Sequence, residues 1–523
     1  MSTTITYKNN TLVTVENDTK ILKTAGKYME DDVTVADDTA SGSAYQDKDG
    51  FVVIGDGRSS FAPQGTIIIT ENGTVDVSSY AGAEVNVRKG SNEDPDNWND
   101  PIRFFDYDGT LIANYASVPN ALPDIPIHDK LTNGTWNHTL EQISSQFNIT
   151  GTCDIGVNYD TVSGKNEIDI TLDSDHLEPW LCIAVNGTAT IDWGDGSTTE
   201  TITGTNFTEL KYRQHVYEYA GNYTIMIDGT VRFYNSGNYF STVLTSTNEN
   251  SNRQRNRTYA KCITAVRVAD GSYIGDYAFA YCYNLTSVSI PNNITSIGAY
   301  AFYNCFNLTN ISIPANVTSI GDGAFYYCSS LTSISIPNGI TSINDGVFNY
   351  CNGLTSISIP NSVTSIGTFA FTNCFNLTNI VIPNSVTSIG DGAFSSCFNL
   401  TSISIPNNIT NISAYAFSSC YSLTSILIPN SVTSIGTFAF SSCYSLTNIS
   451  IPNSVTSIDT FAFNNCYGVL EYHLLSTMPP ALADKNVFTG IISGTKIYVP
   501  NRSLSTYQAA TNWNTYELYM MEE

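Results

Sequence analysis

Between Ser272 and Cys466 this 523-residue chain contains no lysine, no arginine and no histidine. Five aspartates, Asp276, Asp322, Asp345, Asp391 and Asp459, are the only charged side chains of that stretch. A surface without cations cannot neutralise phosphate, which excludes nucleic acid and anionic membrane as its partners. It also lacks any general base beyond scattered carboxylates, so the stretch does not read as a catalyst. Charge is scarce in the whole chain, 13% of residues, yet the net charge is −25. No apolar run reaches the length that spans a bilayer, and membrane insertion is not expected. The opening MSTTITYKNNTLVTVENDTK has neither a basic n-region nor an apolar h-region, so no signal peptide is expected. The length exceeds one ordinary core, and several domains are expected.

What the chain does have is a repeat. Nine cysteines from Cys282 to Cys466 and eight prolines from Pro291 to Pro452 each recur every 23 residues without a slip. A fixed period of this size marks a solenoid, in which each coil buries its apolar face against its neighbours. Within one unit, Leu377 to Asn399, Ile380 and Ile382 stand two apart and share one face of a short strand. Pro383 ends that strand. Val386 and Ile389 turn inward, Gly390 bends the chain, and Ala393-Phe394 begin a short helical turn that closes near Cys397.

The pattern LTSIxIP, then SVTSIG, then AFxxC resembles the BspA-type (treponemal) leucine-rich repeat, which implies a leucine-rich-repeat solenoid. Equivalent side chains in stacked coils point the same way, and nine is odd, so the cysteines read as buried free thiols and not disulfides. The Asn-x-Ser/Thr triplets at Asn284, Asn307 and Asn376 read as repeat composition.

Upstream, residues 1–40 alternate as a small β module, a linker fills 41–65, and a second module occupies 66–89. In the second, Thr66 to Thr70 and Ala83 to Val87 read as strands turned through Glu71-Asn72-Gly73. Residues 90–100 form an acidic linker. The stretches Lys20 to Val35 and Ile69 to Ala81 resemble segments at the start of tail and baseplate-associated proteins of phages infecting gut Firmicutes. That resemblance implies a virion anchor.

Residues 101–172 read as a small mixed module with one short helix around Thr139 to Phe147. It opens on Ile102-Arg-Phe-Phe-Asp106-Tyr-Asp108-Gly-Thr110, which is similar to the first motif of haloacid-dehalogenase-type phosphatases. There the first Asp is the nucleophile and the second the acid/base, both near Mg²⁺. The doubly wound α/β context that this motif needs does not follow, and an Asp-Gly turn after a strand is the expectation instead.

Residues 173–233 resemble a PKD-type β-sandwich through Ala189-Thr-Ile-Asp-Trp-Gly-Asp-Gly-Ser197, His215-Val-Tyr217 and Gly221 to Ile227. That implies a spacer or contact domain, whose sheets part of Ile102 to Leu172 completes. His215 is expected to pack or cap, and Asp192 with Asp195 offer too few carboxylates for Ca²⁺. A linker spans 234–257, the repeats 258–470, and a cap 471–523, with a strand at Thr495 to Val499 and a helix from Ser503 to Met520. The tail from Ile497-Tyr-Val-Pro500 to Trp513 is similar to those closing such arrays in phage and Firmicutes proteins.

Two surfaces stand out. Outward strand positions Ser287, Asn310, Ser333, Ser356, Asn379 and Ser402 make a flat hydroxyl and amide face. Around the cysteines the chain varies and is aromatic: Tyr303, Tyr326, Tyr327, Tyr350, Phe375, Phe398, Tyr421 and Tyr444 are the candidate ligand-facing residues. Tyr with Ser and Asn is a recognition mixture that suits a glycan or a neutral protein patch. The same rings also read as a ladder packed between coils.

The fold class is therefore mainly β and multidomain: small N-terminal β modules, a PKD-like β-sandwich, and a C-terminal leucine-rich-repeat solenoid with short helical turns and an α/β cap. The expected function is non-enzymatic attachment, with no catalytic, cofactor or metal residue. A virion tail or baseplate protein would use its N-terminal region to join other virion proteins, act as a homo-oligomer, and present the solenoid to a host cell-surface glycan or protein. The rivals are a bacterial surface adhesin or structural protein binding host matrix, exported by an unusual route, and a head-decorating virion protein.

Overall fold

A computed structural model describes residues 102–107, 110–150, 153–233, 243–245, 259–269, 271 and 273–521, together with nine strands of the first hundred residues. The chain divides into two compact units, Met1–Asp100 and Pro101–Glu523.

In the first unit, Ser2–Tyr7 pairs antiparallel with Asn10–Glu16 and with Val33–Ala36. Thr66–Ile69 and Glu84–Val87 do not form the hairpin expected through Asn72-Gly73; they pair in parallel. The chain between them passes through Val75–Asp76, which joins Val33–Ala36 in the other sheet, and such a crossover forces the parallel sense. The stretch expected as a linker also contributes strands, Ser43–Gln46 and Val52–Gly55.

The second unit begins with a four-stranded sheet ordered Leu111–Tyr115, Ile102–Phe105, Cys153–Thr161, Leu131–Trp136. The helix Leu140–Thr150 packs on it, where Ile143 joins Ile102, Phe104, Cys153 and Ile155 in a small core. A reciprocal cap starts this helix. The Thr139 amide donates to Gln142 Oε1 at 2.7 Å, and the Gln142 amide donates to Thr139 Oγ1 at 3.3 Å.

The chain then enters a sheet that runs into the solenoid itself. Asn166–Leu172 pairs on one side with Gly221–Asp228 and on the other with Ile263–Arg267, the first strand of the repeat array. Val231–Phe233 pairs in parallel with Tyr273–Ile274, the start of the second strand row. The domain expected as a spacer thus closes the N-terminal end of the solenoid. Arg267 fastens the seam, bonding Glu167 at 2.7 Å and Asp169 at 2.7 and 2.8 Å. A solenoid end is an open sheet edge, and a paired antiparallel strand removes it.

The coils stack two strand rows in 23-residue register, with Ile357 beside Ile380 and Ile403 in one row, and Ile343 beside Ile366 and Ile389 in the other. In the coil of Leu427 the first row narrows to a single bridge, Ser404 to Leu427. The short turn that follows each bend has a regular bonding plan. The amides of Ala393, Ser395 and Cys397 bond three residues back, while those of Gly392, Phe394 and Ser396 reach the next coil at Ala414, Ala416 and Ser418. The backbone is satisfied within and between coils by turns.

Two positions per coil are left-handed. One lies just before the cysteine, as at Tyr327 (φ 63°) and Ser396 (φ 60°). The other alternates between aromatics and glycine, as at Tyr300 (φ 54°), Gly323 (φ 59°), Phe369 (φ 55°) and Gly392 (φ 60°). Left-handed backbone costs a non-glycine residue roughly 1–2 kcal/mol. The glycines serve a second need, because a Cβ on Gly323 would meet the Tyr300 ring at 2.3 Å.

Inside, Phe279, Phe302, Phe325, Phe348, Phe371, Phe394, Phe417, Phe440 and Phe463 stack coil on coil and end on Phe488 of the cap. The cap adds Lys496–Val499 and Leu518–Met520 in parallel to the first strand row. Its helix is shorter than expected: it covers Leu504–Ala509 and gives way to the 3-10 turn Trp513–Thr515. Trp513, whose Nε1 donates to the Pro480 carbonyl at 2.7 Å, is buried against Phe488 and Tyr507 and draws the chain back.

Candidate recognition surface

The proline column shapes the outer face of the first strand row. In a parallel ladder, the residue after the strand would donate its N–H to the strand-final isoleucine of the preceding coil. The prolines have no N–H, so each leaves such a carbonyl without a ladder donor. Leu475 occupies the proline position of a later coil, and its amide does donate to the Ile451 carbonyl, at 2.9 Å. Met521 does the same to Val499 at 3.0 Å.

Residues 101–165 lie across this face. Asn137 Nδ2 donates to the Ile313 carbonyl at 3.2 Å and to Ser335 Oγ at 3.1 Å. Gln146 Nε2 donates to Ser358 Oγ at 2.8 Å and to the Ile359 carbonyl at 2.9 Å. Arg103, paired with Asp154 at 2.8 Å, reaches Ser356 Oγ at 2.9 Å. Ser289 Oγ donates to the Tyr159 carbonyl, and Asn292 Nδ2 to Thr135 Oγ1. Carboxamide and guanidinium groups therefore supply hydrogen bonds that the prolines and serines leave open.

Half of the hydroxyl and amide face is covered in consequence. Asn310 and Ser333 are each 4% exposed, whereas Asn379 and Ser402 are exposed to solvent. Sequence alone could not separate the two halves, because the covering residues lie far upstream and outside the repeat.

The aromatic candidates fall into two groups. Tyr303, Tyr326, Tyr327 and Tyr350 form a half-buried cluster, in which Tyr327 and Tyr350 stack at 4.2 Å. Burial first, then the Tyr350 hydroxyl, pushes the Tyr327 phenol up to about 12. Phe375, Phe398, Tyr421 and Tyr444 continue to Tyr467 as one stack, with centroids 4.6 to 5.4 Å apart and planes within 15°. Rings stacked along the solenoid axis hide their faces in one another and present their edges. A second external stack, Tyr415–Phe438–Phe461, sits on the left-handed positions. The exchange of aromatics with glycine at equivalent positions is the sequence signal that could have found it.

The second strand row bears a shallow groove of about 480 Å³ lined by Ser342, Ser365, Ser388, Asp322 and Asp345. Asp345 accepts the Thr368 amide at 2.7 Å.

Asp106 lies in a hairpin. Ile102–Phe105 returns antiparallel on Leu111–Tyr115, and the Asp106 amide donates to the Thr110 carbonyl at 2.8 Å. The Asp106 carboxylate is buried; it accepts the Tyr107 amide and His128 Nε2, each at 2.8 Å. Asp108 and Gly109 lie outside the described residues. A hairpin is the turn expected from Asp-Gly, and differs from the strand-to-helix arrangement of the phosphatase motif.

His215 lies flat on Trp193, centroids 4.7 Å apart, with Nε2 2.7 Å from Asp195 Oδ2. Burial opposes the Asp195 charge, but bonds from Ser197 and His215 outweigh it and hold the carboxyl down at about 2. The Asp192 carboxylate accepts the Gly194 amide at 2.9 Å. Both carboxylates and His215 thus pin the Trp193-to-Ser197 turn. Among the described residues, no group of three or more His, Cys, Asp or Glu converges as a metal site.

All twelve cysteines are free and buried. From Cys305 to Cys466, each thiol donates to a phenylalanine carbonyl of the preceding coil at 3.1 to 3.2 Å. Burial pushes the thiols up, Cys374 to about 12.

With this geometry in place, residues 258–375 and 364–491 match the model of the BspA type leucine rich repeat region. The repeats are of that type. A T. pallidum leucine rich repeat protein is 28% identical, with 35% of this chain and 83% of that one covered and a TM-score of 0.28. A leucine rich cell surface protein of Faecalibacterium prausnitzii is 26% identical, covering 54% of this chain and 93% of that one, TM-score 0.28. A Bacteroides ovatus leucine-rich repeat protein is 23% identical, covering 59% and 90%, TM-score 0.34. No curated protein matches the chain.

Proposed function

We propose that this chain is a non-enzymatic adhesive protein whose solenoid grips a neutral surface on a cell envelope. One observation carries the reading: the hydroxyl and carbonyl face already holds a folded part of the same chain through Asn137, Gln146 and Arg103, and it continues uncovered beyond Asn379. A face that engages polar groups in cis has the chemistry to engage them in trans. The aromatic edges of Phe398, Tyr421 and Tyr444 flank it as rigid contact area.

In the finer reading the protein belongs to a virion tail or baseplate. Residues 1–100 join it to other virion proteins, and several copies act together, so that avidity compensates for weak single contacts. The resemblance of Lys20 to Val35 and Ile69 to Ala81 to phage tail segments supports this placement. Placement on a bacterial surface is the rival, supported by the BspA-type repeats.

The test is adhesion of the purified full chain to candidate host cells and wall preparations, beside the Tyr326→Ser/Tyr350→Ser/Phe375→Ser variant. Binding that is lost in the variant while the melting temperature holds supports recognition by the aromatic cluster. A large fall in melting temperature assigns those rings to packing, and no adhesion by the wild type overturns the proposal. Immunogold labelling of particles against cell envelopes decides between the two locations.

A further inference from the structure

The covered half of the strand face shows what this surface binds, and the repeat reproduces it where nothing of the described chain lies over it. In the covered half, Asn137 joins the Ile313 carbonyl to Ser335 Oγ of the next coil. The Ile313 carbonyl is open because its ladder donor would be the N–H that Pro337 lacks. The same combination recurs as the Ile382 carbonyl with Ser404, where Pro406 lacks the N–H, and as the Ile428 carbonyl with Ser450, where Pro452 lacks it. Ser404 and Ser450 are exposed.

Between these two niches stands Leu427, 75% exposed, at a position where the coils on either side carry serine. An exposed leucine held by a single β-bridge to Ser404, and bracketed by two polar niches, is arranged for contact with another surface. The covered half has serine, Ser312, Ser335 and Ser358, at all three corresponding positions of consecutive coils, so the free half is not a plain duplicate. It offers an added apolar contact.

We propose that the free face from Ile382 to Ser450 docks a polypeptide that inserts carboxamide side chains, Asn or Gln, into the Ile382/Ser404 and Ile428/Ser450 niches and covers Leu427. A carboxamide suits the niche because its NH₂ carries two donors, one for the carbonyl and one for the hydroxyl. A lysine would bring an uncompensated charge, and a carboxylate has no hydrogen to give the carbonyl. The proposal rests on the reading of the solenoid as a binding surface, and it names the partner's chemistry.

The experiment selects a random displayed-peptide library on the immobilised full chain. Wild-type selections are expected to enrich paired Asn or Gln around an apolar residue. Pro406→Ala/Pro452→Ala supplies backbone N–H groups to the Ile382 and Ile428 carbonyls, as Leu475 does to Ile451, without changing an exposed polar side chain. Affinity for the enriched peptides should fall at least tenfold in this variant, at unchanged melting temperature. If it folds poorly, Ser404→Ala/Ser450→Ala gives the same readout from the hydroxyl side. Enrichment without Asn or Gln, or a variant that folds and binds the enriched peptides as tightly as the wild type, overturns the proposal. So does a parallel array in which neutral glycans bind in a niche-dependent manner and peptides do not, a result that leaves the adhesive reading standing.

Discussion

Gly156 and Ser312 meet so closely that a Cβ on Gly156 would lie 2.3 Å from Ser312 Oγ and 2.8 Å from Ser312 Cβ. This contact sets the distance at which Asn137 and Gln146 reach the solenoid. Gly156→Val should force the 101–165 sheet off the strand face, at a cost of roughly 1–3 kcal/mol from overpacking. Amide exchange around Asn310 to Ser358 should accelerate while that of coils beyond Asn379 stays as it was. Unchanged exchange around Ser333 would show that the seam absorbs the side chain.

The same seam should weaken in acid. Burial holds the His138 imidazole down at about 4, beside Asn137 Oδ1 at 2.8 Å. A solvated histidine titrates near 6.5. Below that pH the released state takes up a proton that the docked state refuses, so docking is strongest above pH 6.5 and declines as pH falls toward 4. The full span is on the order of 3 kcal/mol. Exchange at Asn310 to Ser358 measured from pH 7 to 4, against a His138→Gln variant with a flat profile, checks it.

Native protein should resist alkylation. All twelve thiols are buried and have no access to reagent, and burial raises the pKa of those from Cys305 to Cys466, which leaves little thiolate. Iodoacetamide should label none of them at pH 8 in buffer and all twelve in denaturant, counted by mass. A rapidly labelled repeat cysteine would mean that the coils open locally.

The two kinds of ring ladder should differ in cost. Phe417 is 1% exposed and stacked between Phe394 and Phe440, so Phe417→Ala should lose roughly 3–5 kcal/mol. Tyr444 is 40% exposed, and Tyr444→Ser should lose about 1 kcal/mol or less. Denaturant melts of both variants measure the difference. Equal losses would make the outer stack a structural spine.

Leu475→Pro should be mild, because the repeat shows proline fitting that backbone position in every preceding coil from Pro291 to Pro452. Only the bond to the Ile451 carbonyl is forfeited, about 1 kcal/mol. A much larger loss by thermal melt would show that the cap needs more than this bond.

The period itself was legible. Repetition puts the same residue above itself, so the register of Ile357 on Ile380, the thiol column and the buried phenylalanines follow from spacing. Less legible were features set by pairs far apart. Asn137 and Ser335 share no period, and Thr66–Ile69 beside Glu84–Val87 reads as a hairpin until Val75–Asp76 is seen to leave for another sheet. The helix expected to reach Met520 stops at Ala509, where the burial of Trp513 outweighs local helix preference.

Composition and periodicity alone determined that the chain builds a solenoid without cations from Ser272 to Cys466, since stacked identical units leave one way to bury their apolar residues. Tertiary structure decided which part of that surface is free. Coils of the same sequence are covered at Asn310 and open at Asn379, because a hydrogen-bonding surface is closed by whatever folds against it, and no single repeat records its neighbour.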